Sequence, residues 1–72
     1  MIRVTIEQCL LNDILNRIGM TQVQLSDLTG LSKSQISDYA NNRRRMSLKN
    51  AKLIAYATSC HIDDLYHFEI SQ

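Results

Sequence analysis

Proline is absent from the chain, and glycine occurs twice, at Gly19 and Gly30. With so few residues that break a helix, most of the sequence is free to be helical, and the two glycines mark where helices stop. Cysteine is equally scarce: Cys9 and Cys60 form no C-x-x-C pair, and no secretory leader is expected before them. That usage fits neither a disulfide framework nor a zinc finger, and a reducing, cytoplasmic compartment is the expectation. Long apolar runs are missing too. No segment approaches the roughly 18–20 residues that span a bilayer, so no membrane partner is expected.

The chain has 72 residues, 44% hydrophobic and 21% charged, a balance that excludes a disordered tail or a fibrous repeat. The length allows one compact unit, residues 1–72, and rules out a two-domain enzyme. A single core of this size supplies only roughly 3–5 kcal/mol, so a partner subunit is a natural further source of stability.

The net charge of +1 hides an uneven distribution. Residues 31–52 carry Lys33, Arg43, Arg44, Arg45, Lys49 and Lys52 against Asp38 alone, while the flanking segments are net acidic. Such an internal dipole points to a polyanionic partner, and its plain alternative is a solvated basic face.

Helical periodicity is visible in four stretches, three of which open with a hydroxyl residue followed three positions later by glutamine: Thr5 and Gln8, Thr21 and Gln24, Ser32 and Gln35. Each reads as a capping box, in which the hydroxyl accepts an orphan backbone N–H and the amide reaches back. The first helix then presents Leu10, Leu11, Ile14, Leu15 and Ile18 and stops at Gly19; the second presents Val23, Leu25 and Leu28 and stops at Gly30. The third carries Ile36, Tyr39 and Ala40 and gives way to Asn41-Asn42-Arg43-Arg44-Arg45. Ser47 opens a fourth helix with Leu48, Ala51, Ile54, Ala55 and Thr58 inward, and a short fifth is expected at Ile62 to Tyr66, with His61 as cap and Asp63 and Asp64 near its positive end. The termini alternate instead. Ile2, Val4 and Ile6 share one face and Tyr66, Phe68 and Ile70 another, so the two ends can pair as a two-stranded ribbon.

The second and third helices are joined by Thr29-Gly30-Leu31, too short a link to lay them antiparallel, so they must cross steeply as a helix-turn-helix over residues 22–41. Counting from Gln22, the fifth residue is the small Ser26, which permits a close crossing, and the ninth is Gly30, where positive φ is needed. Ile36 and Tyr39, fifteenth and eighteenth, plug the joint.

With these residues in place, the chain resembles the Cro and lambda-repressor-like helix-turn-helix family, the xenobiotic-response-element type. The resemblance runs from about Leu10 to Leu65, through Met20-Thr21-Gln22, Leu25 to Ser32, Ile36-Ser37-Asp38-Tyr39 and Arg43 to Leu48. It implies an all-α fold of five short helices, a third helix lying in the DNA major groove, and a dimeric regulator of transcription. Departures lie in the loops: Ala40, Asn41 and Asn42 replace the family's Glu-Asn-Gly, Met46 stands at a common proline and Ser59 at a common glycine. Asn42 can still take the left-handed conformation, at some cost.

Carried over residue by residue, the resemblance makes Lys33, Ser34, Ser37 and Asp38 the base-reading side chains of helix 32–40. Lys33 can donate to guanine, Asp38 can accept from cytosine N4, and the two serines can serve several bases. Asp38 has a rival role as the partner of a nearby arginine, and the serines have a rival reading as plain helix surface. Gln22, Ser32, Gln35, Asn41, Arg43, Arg44 and Arg45 become phosphate contacts. About three cationic contacts per subunit would give a dimer a salt slope of about −5. The dimer would recognise a palindrome with half-sites roughly 34 Å apart. The expected regulator is bacterial or phage-like, nucleoid-associated and a repressor, with no catalysis, cofactor or metal.

Two rivals follow from the same residues. His61, His67, Cys60, Asp63 and Asp64 superficially resemble a metal cluster, but Cys60 falls at a buried apolar position and His61 at a helix cap. An antitoxin or protein-interaction module keeps the fold and changes the partner, a possible protein in place of DNA.

Overall fold

The computed structural model describes all 72 residues. In order they form β1 (Arg3–Cys9), α1 (Leu11–Ile18), α2 (Gln22–Thr29), α3 (Lys33–Ala40), α4 (Leu48–Ala57), a 3-10 turn (Ile62–Leu65) and β2 (Tyr66–Ser71). Four α-helices stand where five were expected, and the termini pair as the expected two-stranded antiparallel ribbon. The stretch expected as a fifth helix is too short for an α-turn ladder. It closes one 3-10 turn and then extends into β2.

Local sequence explains most of the boundaries. At Thr21 both halves of the capping box are made: its hydroxyl accepts from Gln24 N at 3.1 Å, and its own N–H donates to Gln24 Oε1 at 2.8 Å. Ser32 makes half of one. Its Oγ accepts from Gln35 N at 3.1 Å, but the Gln35 amide turns away to donate to Tyr39 Oη at 3.0 Å. Thr5 caps nothing, because Thr5 and Gln8 both lie in the extended strand β1, where Thr5 pairs with Glu69 and Gln8 falls in a bulge. Helix α1 instead starts after Leu10, without a side-chain cap. Gly19 and Gly30 end α1 and α2 at φ 73° and 76°, the left-handed region in which a side chain costs about 1–2 kcal/mol. Two non-glycine residues share that region, Asn42 at 61° and Ser59 at 58°.

The core draws one fully buried side chain from each of five elements: Leu11, Leu25, Ile36, Ile54 and Leu65. Ile14, Leu15, Tyr39, Ala40, Ala51, Ala55 and Cys9 complete it. Several expected inward positions lie outside. Val23, Leu28 and Leu48 are exposed, and so is Ile18 at the end of α1, because helices this short bury only the turn that meets a neighbour.

The ribbon pairs Arg3 with Ser71, Val4 with Ile70, Thr5 with Glu69 and Ile6 with Phe68, then Cys9 with Tyr66. Between the last two pairs β1 has one more residue than β2, a bulge at Glu7 and Gln8 opposite His67. The extra residue changes the alternation, so Cys9 joins Ile6 and Val4 on the same face and reaches the core. Further out the ribbon leaves the bundle. Ile2, Val4 and Ile70 are exposed, and the molecule measures 42 × 21 × 19 Å.

Candidate nucleic-acid interface

The helix-turn-helix is fixed by hydroxyl chemistry at the turn. Ser26 Oγ donates to Leu31 O at 2.6 Å, Thr29 Oγ1 donates to Leu25 O at 2.8 Å, and Leu31 N donates back to Thr29 Oγ1 at 3.2 Å. Ile36 and Tyr39 are buried beneath α3, which leaves Lys33, Ser34, Ser37 and Asp38 on its outer side. Lys33 and Ser34 are exposed and free of intramolecular partners. Ser32, at the N-cap, is also exposed.

Beyond α3 the chain folds back onto the helix end, since the backbone N–H groups of Arg43 and Arg44 both donate to Asp38 O, at 2.9 and 3.3 Å. The three arginines then diverge. Arg43 Nε donates to Asp38 Oδ1 at 2.9 Å and its Nη2 to Ser37 Oγ at 3.3 Å, so Asp38 takes the arginine partner anticipated as its rival role. Arg43 is exposed and Asp38 partly so, and an ion pair this open to solvent contributes little to stability. Arg45 reaches across to Ile6 O in β1, at 3.2 Å. The Arg44 guanidinium bonds to nothing in the molecule and is the freest cation of the run.

Gln22 Nε2 donates to Asn12 Oδ1 of α1 at 3.2 Å, so its amide is oriented by the first helix. Gln35 is half-buried with its amide on Tyr39 Oη, facing the bundle. Asn41 Nδ2 donates to Ser37 O at 3.0 Å and to Ser37 Oγ at 3.2 Å. Both amide hydrogens of Asn41 are thus used inside the molecule.

A second set of residues positions the site and carries little sequence signal. Asn42 Oδ1 accepts from Cys9 N at 2.7 Å, Tyr66 Oη accepts from Met46 N at 2.9 Å, and Tyr39 Oη accepts from Asn50 Nδ2 at 3.0 Å. These bonds tie the arginine loop to both strands and α3 to α4. Burial raises the pKa of Tyr66, with the Met46 hydrogen bond opposing it, and burial likewise raises that of Cys9. No three His, Cys, Asp or Glu side chains converge on a common point, and no helix is long and apolar enough to cross a membrane.

Known proteins resemble this chain in sequence. A family model described as Helix-turn-helix matches residues 11–65. Across 100% of its length the chain is 40% identical to the SPbeta prophage-derived uncharacterized HTH-type transcriptional regulator YopS of Bacillus subtilis (strain 168), of which the match covers 99%. A second relative in that organism, the SPbeta prophage-derived uncharacterized HTH-type transcriptional regulator YotL, is 33% identical over 78% of this chain and 71% of its own length. Fold, turn chemistry and relatives agree, and the chain belongs to the Cro/C1-type helix-turn-helix family of transcriptional regulators.

Proposed function

We propose that the protein is a sequence-specific, double-stranded DNA-binding repressor that reads the major groove with helix 32–40. One observation carries this reading. The outer side of α3 offers Lys33 and Ser34 with no internal partner, and the exposed Arg44, equally unpartnered, follows just beyond the helix end. Donors and cations left unsatisfied by the fold are what a groove and its phosphate rails would satisfy.

In this reading Lys33, Ser34, Ser37 and Asp38 meet base edges. Arg44 is the principal phosphate contact, with Gln22, Ser32, Arg43 and Arg45 along the same backbone, whereas the Gln35 and Asn41 amide donors, spent on Tyr39 and Ser37, drop out of that set. The whole chain acts as one non-catalytic, cytoplasmic, nucleoid-associated unit.

The repressor works as a homodimer on a palindromic operator, and the terminal ribbon is its pairing surface. Three features support that surface. The outer edge of β1 is occupied by Asn42 and Arg45, whereas β2 has only β1 beside it. β2 carries no lysine, proline or bulge of the kind that blunts a free edge. An antiparallel copy centred on Phe68 would set the His67 and Glu69 side chains of each strand, 2.9 Å apart within β2, opposite the same two residues of the other.

Selection of bound fragments from random duplex DNA tests the function directly. A palindromic consensus is expected, with half-site centres roughly one helical turn apart. No retention on any duplex at low salt would reject the reading in favour of a protein partner. Sedimentation with and without the selected duplex tests the dimer, and a monomer in both states would reject it.

A further inference from the structure

Ser37, Asp38, Asn41 and Arg43 form one hydrogen-bonded unit at the C-terminal end of α3, and its donor and acceptor count is informative. A serine hydroxyl has one proton to give and a pair of lone pairs to accept with. Asn41 Nδ2 and Arg43 Nη2 both donate to Ser37 Oγ, at 3.2 and 3.3 Å, which fills its acceptor capacity. The Asn41 amide cannot be turned over, because the same nitrogen also donates to Ser37 O, a group that only accepts. What Ser37 has left is its proton. Thr29 and Thr58 turn theirs back onto carbonyls one helical turn earlier, but the Ser37 hydroxyl makes no such bond.

Asp38 is fixed in the complementary sense. Its Oδ1 is taken by Arg43 Nε at 2.9 Å, which leaves Oδ2 as its one uncommitted acceptor atom. The guanidinium also offsets the repulsion a bare carboxylate would meet between phosphates.

Resting on the DNA-binding reading above, we infer that Arg43, with Asn41, sets the hydrogen-bond polarity of this end of the helix, making Ser37 an obligate donor and Asp38 a one-oxygen acceptor toward the bases. Asp38 then selects an exocyclic amino group, cytosine N4 or adenine N6, and rejects guanine O6 and thymine O4 at the same place. Ser37 selects an acceptor beside it: guanine O6 or N7, adenine N7 or thymine O4. Arg43 is a positioning residue that determines specificity, and the N–H groups it does not spend on Ser37 and Asp38 remain free for phosphate.

The test is selection from random duplex DNA with the wild-type chain and with Asp38→Asn, Arg43→Ala, Arg43→Lys and Arg44→Ala, followed by the salt dependence of binding to the wild-type consensus. Unfolding midpoints accompany each variant, and these exposed or half-exposed positions should change them little. Asp38→Asn, an isostere that adds amide donors, should shift the preferred base at one position toward guanine or thymine. Arg43→Ala should lose preference at that same position by roughly tenfold. Arg43→Lys keeps the charge but not the fork, so it should retain the wild-type salt slope without restoring the preference. Arg44→Ala should keep every base preference and flatten the slope by about one. If Arg43→Ala instead weakens all sequences equally, with the preference intact, the inference is overturned while DNA recognition stands. If the wild-type chain retains no duplex, both fall together.

Discussion

The backbone N–H of Cys9 finds its acceptor 33 residues away, on the side chain of Asn42. Asn42 does so from the left-handed region, φ 61°, where asparagine is tolerated better than most residues. Asn42→Gly should relieve the backbone but lose the bond. Asn42→Ala should lose the bond and keep the strain, leaving a part-buried donor unsatisfied at a cost of about 1–3 kcal/mol. Urea midpoints should therefore fall in the order wild type, Asn42→Gly, Asn42→Ala, and an unchanged midpoint for the alanine variant would refute the role. Alkaline pH probes the same neighbourhood. Burial holds the Cys9 thiol and the Tyr66 phenol above their ordinary values, so the folded state resists ionising them. Because the folded values are the higher ones, their contribution is fully present below the unfolded thiol value, about 8.5, and is lost as pH rises through the folded values. Stability measured across pH 8 to 11 should decline, and a Cys9→Ala variant should lose the earlier part of that decline; a flat profile would contradict it.

Among the elements, the turns carry the strain. A Cβ on Gly30 would meet nothing within 4 Å, so Gly30→Ala should cost only the left-handed backbone penalty, about 1–2 kcal/mol, with α2 and α3 still crossing as before. Ser59 occupies the same backbone region after α4 and uses no side-chain hydrogen bond there. Ser59→Gly should therefore stabilise the protein by about 1 kcal/mol, read as a higher midpoint of thermal or urea unfolding. A lower midpoint would mean that the unfolded-state entropy of glycine outweighs the strain. The amphipathic patterns of the helices were legible because each face repeats within a few residues, whereas the exposure of Val23, Leu28 and Leu48 follows from which turns meet a neighbour.

For the whole molecule, the outer end of the ribbon is the part that does not pack on the bundle. Ile70 is 68% exposed, so Ile70→Lys should leave the monomer fold intact. In a ribbon-paired dimer it should shift the mass toward monomer by light scattering and weaken binding to a full palindrome more than to a half-site. An unchanged mass with intact operator affinity would move the pairing surface elsewhere. The alternation of both termini announced the ribbon. The bulge that turns Cys9 inward was not announced, because it depends on how the strand must enter α1.

Sequence alone determined the helix-turn-helix: the glycine stops, the Thr21 and Ser32 caps and the buried faces of α1, α3 and α4 depend on residues within a turn or two of each other. It also placed six of the eight lysines and arginines in one segment, residues 31–52. Only the tertiary structure decided how those charges divide, Arg43 to Asp38, Arg45 to a β1 carbonyl 39 residues away and Arg44 to solvent. A guanidinium reaches whichever acceptor the folded backbone brings near it, and that juxtaposition exists only once the strands have paired and docked.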